Sequence, residues 1–350
     1  MLNPNKSFYI DSETEVFIYC PAGLVTGGSE LLHQLCDFLN RNNQNAYIIY
    51  YGDAEKKIPD DYKKYSIKLK QEVNDKKNNI VVLCEVFFHY VFKFKNIQPL
   101  FWWLSVDNFY FSQEVNLNIS EYYKWNKKLL PKVFLRKIKG FGKFENRFWG
   151  NFNLKKINTL NGIHGYQSEY AKDFLLKHGI NNIVPLKDYI NTDYNQNFNT
   201  SVKENIIVYN PKKGLAFTKK LIKLTPELKW VPIQNMSRAE VLSLLERSKL
   251  YIDFGYHPGK DRLPREAALN GCCIITGKLG AAGYYGDIPI SPNYKFEQRN
   301  IDIPIIIKSI YEILDLYESK ILDFANYRQI ILGEKDEFEN DILKIFQIKV

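Results

Sequence analysis

Residues 250–277 constrain this chain more than any other stretch. Leu250–Phe254 is an apolar run of strand length, and Cys272–Thr276 is a second. Between them lie the loop breakers Gly255, Pro258 and Gly259, then a helical stretch, Arg265–Asn270, that Gly271 is placed to stop. Pro264 suits the first residue of that helix, where its missing N–H is not needed. Strand, polar loop, helix, strand is one half of a nucleotide-binding sheet. The loop brings His257, Lys260, Asp261, Arg262, Arg265 and Glu266 to a helix N-terminus, where backbone N–H groups and the helix dipole favour an anion. Two i,i+4 pairs, Asp261 with Arg265 and Arg262 with Glu266, would equally brace a surface helix. The density of charge at the carboxyl end of a buried strand favours the ligand reading, because open α/β sheets bind ligands at such ends.

The same alternation runs through the rest of the 350 residues. Val16–Cys20 reads as a strand, Ser29–Asn40 as a helix with Leu31, Leu32, Leu35, Phe38 and Leu39 on one face, and Ala46–Tyr51 as the next strand. Gly27 and Gly28 in the first turn allow a ligand to approach the backbone. The spacing is not Gly-x-Gly-x-x-Gly, so the dinucleotide fingerprint is absent. Ile80–Cys84 is a buried-type strand ending at Glu85, and Leu100–Val106 another ending at Asp107. Asn158–Gly165 is a further strand candidate, and a helix starts at Ser168-Glu169-Tyr170. Thr192–Lys203, rich in Asn and Thr, reads as a linker.

Beyond it, Ile206–Tyr209 and Trp230–Ile233 read as strands, with the loop Asn210–Gly214 and the helix Phe217–Leu224 between them. Ser237–Arg247 is a helix with Ser237 and Glu240 as a capping box. Ile288–Ile290 is short and extended, and Ile305–Ile321 and Phe338–Phe346 close the chain as helices. The expected fold is α/β, with two Rossmann-like doubly wound domains facing a cleft. The expected division is 1–192, 193–330, and a terminal helix, 331–350, packing back on the first domain.

The net charge of +9 predicts anionic partners. Eleven Lys and Arg fall within residues 121–156 against only Glu121 and Glu145, interleaved with Trp125, Phe134, Phe141, Phe144, Phe148 and Trp149. That mixture suits an anionic membrane surface or a lipid-linked phosphate. It also suits single-stranded nucleic acid, or simply a solvated face over a local core. Cys20, Cys36, Cys84, Cys272 and Cys273 lie in or beside apolar runs without metal spacing, as core thiols of a reducing compartment do. No stretch approaches the apolar length needed to span a bilayer, and Met1–Ile10 lacks a signal-peptide core. The expected location is cytoplasmic, peripheral on the inner face of the membrane.

Taken together, these motifs resemble those of GT-B glycosyltransferases that build bacterial capsule and lipopolysaccharide. Gly27-Gly28-Ser29-Glu30 is similar to the Gly-Gly turn after the first strand of such enzymes, and the helix from Ser168 matches one near the end of their first domain. Asn210–Gly214 is similar to the loop in which a basic residue, here Lys212 or Lys213, contacts the donor diphosphate. Pro264–Ala268 with Gly271 and Ile274–Thr276 resembles the family's Glu-Ala-x-x-x-Gly-x-Pro-Val-Ile block, which implies that Glu266 binds the ribose hydroxyls. Where many retaining members carry another glutamate eight positions earlier, this chain has Pro258, flanked by His257, Lys260, Asp261 and Arg262.

The resemblance implies transfer of a sugar from a nucleotide-sugar co-substrate to a glycan or lipid-linked acceptor, with no metal and no resident cofactor. No nucleic acid is expected as a partner. Lys213, Arg262 and Arg265 would neutralise the leaving phosphate. Asp107 is the first candidate for the base that activates the acceptor, and Glu85 the second. The competing class is a basic nucleic-acid- or membrane-binding protein on an inactive fold of the same kind. A nucleotide-dependent oxidoreductase or epimerase is disfavoured by the missing glycine fingerprint.

Overall fold

The computed structural model describes residues 7–52, 55–112, 119, 123, 126–128, 130–140, 152–191 and 200–348, with 136–140 as backbone. It divides into two units. Unit 1 comprises Met1–Gln167, Ala171–Lys187 and Phe338–Val350; unit 2 comprises Ser168–Tyr170 and Asp188–Glu337.

Unit 1 is built on six strands: β1 (Glu15–Pro21), β2 (Asn45–Tyr51), β3 (Ile80–Cys84), β4 (Gln98–Trp103), β5 (Ile163–Tyr166) and β6 (Ile183–Pro185). Every pairing is parallel, in the order β2-β1-β3-β4-β5-β6. β3 is buried along its whole length and β4 in all but its first residue. That explains their continuous apolar sequence, because a parallel sheet is covered on both faces. The chain runs outward from β1 to β2, then crosses back to β3 on β1's other side. This reversal opens a crevice at the carboxyl ends of β1 and β3. The first is followed by the Gly27-Gly28 loop and the second by Glu85.

Unit 2 repeats the design with five parallel strands: β7 (Glu204–Tyr209), β8 (Lys229–Pro232), β9 (Ser248–Asp253), β10 (Cys273–Gly277) and β11 (Lys295–Phe296). Their order is β11-β10-β9-β7-β8. The reversal now falls between β7 and β9, so the loops after Tyr209 and after Asp253 lie side by side. The apolar strands and the inner faces of the helices around them form one buried cluster, including Val208, Leu250, Ile252, Ile274, Ile310 and Phe324. Lys203 ties the sheet to its helices by donating to the carbonyls of Leu245 (3.1 Å), Ser248 (2.9 Å) and Asn270 (2.5 Å), which lie in the last turn of one helix or just past the ends of two. Ser237 and Glu240 form the expected capping box at the Arg238–Arg247 helix. All five cysteines are free and buried.

The structure corrects several local expectations. The strand expected over Leu100–Val106 ends at Trp103, and Ser105 starts a helix, Val106–Phe111, that carries Asp107 in its first turn. Asn158 ends a short helix, Leu154–Asn158, and the strand begins only at Ile163. Ile288–Ile290 is not a strand, and the final helix is continuous from Ala325 to Ile345. Of the basic segment 121–156, Trp125, Phe141, Phe144, Phe148 and Trp149 lie outside the described residues, as does 192–199 of the linker. Among the described residues no helix is long and apolar enough to cross a membrane.

Candidate functional site

In unit 2 the helix after β9 starts at Arg262, not Arg265, with Asp261 as its N-cap residue. Pro264 is therefore the third helical residue, still within the turn whose N–H groups have no intrahelical acceptor. Gly271 takes φ +75° just past the helix end, the left-handed conformation in which glycine stops a helix. Asp261 makes no side-chain capping bond, because its carboxylate is turned toward Lys213 and His257. Lys213 comes from the loop after β7, so the Lys213–Asp261 ion pair joins the two loops at the strand reversal. The helix after that first loop, Leu215–Leu224, is also uncapped by a side chain, since its N-cap is Gly214 with φ +69°.

The starts of the two helices are thus linked through the Lys213–Asp261 ion pair, and the first-turn N–H groups of both are unclaimed by capping side chains. Lys213, exposed Lys212 and part-exposed Arg262 stand around them. Arg262 pairs with Glu266 at 3.2 Å, as the i,i+4 spacing suggests. Asp253, at the end of β9, accepts from the Gly255 N–H (2.7 Å) and the Tyr251 hydroxyl (2.9 Å). Burial by itself would push its carboxyl up, but His257, Lys213 and the Gly255 N–H outweigh that and hold it below the ordinary value.

Arg265 is placed differently from the expectation. It is 1% exposed. Its five N–H donors go to Asp188 (3.1 and 2.6 Å), Glu334 (2.8 Å), and the carbonyls of Lys260 (3.1 Å) and Asp261 (3.3 Å). No donor remains for a phosphate. Lys260 joins the same cluster through Glu334 at 2.7 Å. The sequence-level pairing of Asp261 with Arg265 is not made between side chains. Asp287, which sequence reasoning did not single out, accepts from the N–H groups of Glu169 (2.8 Å) and Tyr170 (3.0 Å), and burial raises its carboxyl to about 6.

In unit 1, Thr26 caps the Gly27–Arg41 helix by accepting from the Ser29 N–H at 3.3 Å. Tyr62 hydrogen-bonds both the N–H and the carbonyl of Thr26. The loop's conformational demand falls on Gly23, at φ +67°. A Cβ at Gly28 would find its nearest neighbour, Leu104 Cδ1, at 3.8 Å. Asp107 is fully buried, with Asn126 Nδ2 at 3.5 Å. Glu85 accepts from the Leu104 N–H at 3.1 Å and from Asn108 at 3.3 Å. Burial raises the Glu85 carboxyl to about 7, against the lowering effect of these hydrogen bonds.

The Glu85 shift has a direct consequence. A carboxyl that binds its proton more tightly when folded stabilises the fold fully below its unfolded value of 4.5, and that contribution is lost as pH rises through about 7. The whole span is worth about 3 kcal/mol. Glu85→Gln, which carries no titrating proton, is expected to flatten the fall in stability between these pH values. Denaturant midpoints measured across that range check this, and an unchanged slope in the variant would refute the assignment.

No family model matches the chain, and no curated protein does. Solved structures match in fold. The sucrose-phosphate synthase of Thermosynechococcus elongatus superposes with a TM-score of 0.64 at 9% identity, covering 95% of this chain and 98% of that one. HepE of Anabaena, solved with UDP-glucose, gives 0.54 at 10%, covering 95% and 97%. TarM gives 0.51 at 13% identity over 78% of this chain, which spans only 56% of TarM's length. The chain has the two-unit α/β architecture of GT-B glycosyltransferases.

Proposed function

We propose that this protein is a glycosyltransferase that takes its donor, a nucleotide sugar, on unit 2. The observation that carries the reading is the pair of uncapped helix N-termini at the β7/β9 reversal, with Lys213 between them. Backbone N–H groups at two helix starts, with Lys212, Lys213 and Arg262 around them, form a site for a diphosphate. As the glycosidic bond to the donor breaks, negative charge grows on the leaving phosphate. Cations and dipoles already in place stabilise that charge without reorganising. HepE, solved with UDP-glucose, shares this fold.

Glu266 remains the proposed ribose ligand, one helical turn beyond Arg262 and within its reach. Arg265 is assigned to the framework that holds this helix, because its donors are committed. In unit 1 Glu85 is the better placed of the two carboxyls to act as base: it sits at the β1/β3 reversal and titrates near neutral pH, where a general base works best. The acceptor, a glycan or a lipid-linked saccharide, is assigned to the crevice beside Gly27 and Gly28. A role in bacterial surface polysaccharide synthesis, on the inner face of the membrane, rests on the motif resemblance.

Calorimetric titration with UDP, GDP, dTDP and CMP tests the donor site. One of them is expected to bind, with Lys213→Ala weakening it about tenfold or more, the worth of a hydrogen bond to a charged group. If none of the four binds, or Lys213→Ala binds as tightly as the parent, the donor site is wrongly placed.

A further inference from the structure

The ring of His257 is fully buried, yet neither of its nitrogens makes a hydrogen bond of acceptable geometry. Buried polar atoms are almost always hydrogen-bonded, so one that is not points to an interaction of another kind. The ring edges face two carboxylates: Nε2 lies 3.5 Å from Asp253 Oδ1, and Nδ1 lies 3.1 Å from Asp261 Oδ2. One donor atom from each of the three residues falls within 4.8 Å of the others. An ion that binds its ligands at about 2.0–2.2 Å needs them about 3–4 Å apart, a contraction of about 1–2 Å at most.

We propose that Asp253, His257 and Asp261 form a binding site for a divalent transition-metal cation. One imidazole and two carboxylates match Zn²⁺ or Mn²⁺; Mg²⁺ takes oxygen ligands and holds its water. The place already selects for positive charge, since Lys213 is drawn onto Asp261. Asp253 is buried, whereas the Asp261 side chain keeps 24% of its surface exposed, which leaves an entry path.

The frame around the three residues is rigid. The His257 backbone is pinned on both sides, its N–H donating to the Leu279 carbonyl at 3.2 Å and its carbonyl accepting from the Ala281 N–H at 2.8 Å. Gly255 leaves room for both Asp253 Oδ1 and the Lys213 stem, each only 2.6 Å from where a Cβ would stand. Second-sphere bonds hold Asp253 as well, from Tyr251 and the Gly255 N–H.

A bound cation would replace the Lys213 ammonium on Asp261. The lysine, freed, would swing toward the uncapped helix starts. In that form the metal is a regulator that releases a phosphate-binding lysine, and does not itself touch the donor. This second step rests on the donor-site reading; the binding step does not.

The test uses the full chain, freed of metal with chelator and carrying no affinity-tag histidines. Mn²⁺ binding is followed by electron paramagnetic resonance and Zn²⁺ binding by calorimetry, both without nucleotide. One ion per chain is expected, weakened at least tenfold in His257→Ala and in Asp261→Asn, with Mg²⁺ competing poorly. Asp261 is partly exposed, so its variant keeps the test valid should His257→Ala fold badly; circular dichroism reports which does. No ion bound at millimolar metal, or equal binding in a folded Asp261→Asn, would overturn the site. Nucleotide binding is then measured with and without Mn²⁺: a metal site that leaves nucleotide affinity unchanged refutes the lysine release alone.

Discussion

Arg265→Ala is expected to lower the stability of unit 2 by about 3–5 kcal/mol. The substitution leaves two buried carboxylates, Asp188 and Glu334, 3% and 1% exposed, with Lys260 alone to neutralise them. Burial works against charge on Arg265, yet the two carboxylates hold its pKa above the ordinary value, so the guanidinium stays ionised. Removing one member of a buried ionic group costs far more than replacing the whole group. Arg265→Met together with Asp188→Leu, Glu334→Leu and Lys260→Met, which replaces the whole ionic group, is therefore expected to recover most of the loss. Denaturant unfolding of the two variants measures the difference. Were Arg265 a phosphate ligand, the single variant would lose nucleotide affinity with little change in stability; the geometry requires the reverse order of effects.

Gly280→Ala should destabilise by about 3 kcal/mol or more, from two costs that add. Gly280 sits at φ +67° and ψ −142°, a region closed to residues with a Cβ. The added Cβ would also stand 2.0 Å from the His257 carbonyl oxygen, which is backbone held by the Ala281 N–H. The backbone would have to move, as overpacked sites do at a cost of about 1–3 kcal/mol. The displacement would fall on the loop that carries His257 and Asp261, so metal and nucleotide affinity should drop with the melting temperature. Gly28→Ala is the internal comparison: its Cβ meets nothing closer than 3.8 Å, and its stability should stay within about 0.5 kcal/mol of the parent. A Gly280→Ala protein as stable as Gly28→Ala would show that the loop is far softer than its hydrogen bonds imply.

The two helix starts at the candidate donor site lack the side-chain caps that Thr26 and Ser237 give their helices, for a reason the side chains make plain. Thr26 and Ser237 spend their oxygens on capping. Asp261, equally able to cap, is drawn away by Lys213 and His257, and Gly214 has no side chain to offer. Under the proposed donor site, those free N–H groups are the ones that would receive an anion.

Much of the fold was legible from residues in sequence order. Apolar runs of strand length located β1, β2, β3, β7, β9 and β10 to within a residue or two, because the burial of a parallel strand is written in its own side chains. The charged run at 257–266 marked the loop that carries the candidate site. Ser105 illustrates the limit: it lies in a run that reads as a strand reaching Val106, but it starts a helix, and a serine inside an apolar run looks the same either way until the packing around it is known.

What only the tertiary structure decided was the choice of partners. Strand order placed the reversals between β1 and β3 and between β7 and β9, and so brought Lys213 to Asp261, 48 residues apart. Arg265 found Asp188 and Glu334, 77 and 69 residues away, and its donors are committed in the core. Glu85 became a near-neutral acid through burial, not through any neighbour in sequence. Secondary structure follows from local sterics and periodicity, which a short window contains. Ion pairing and desolvation depend on what lies within a few ångströms, and the fold alone sets those distances.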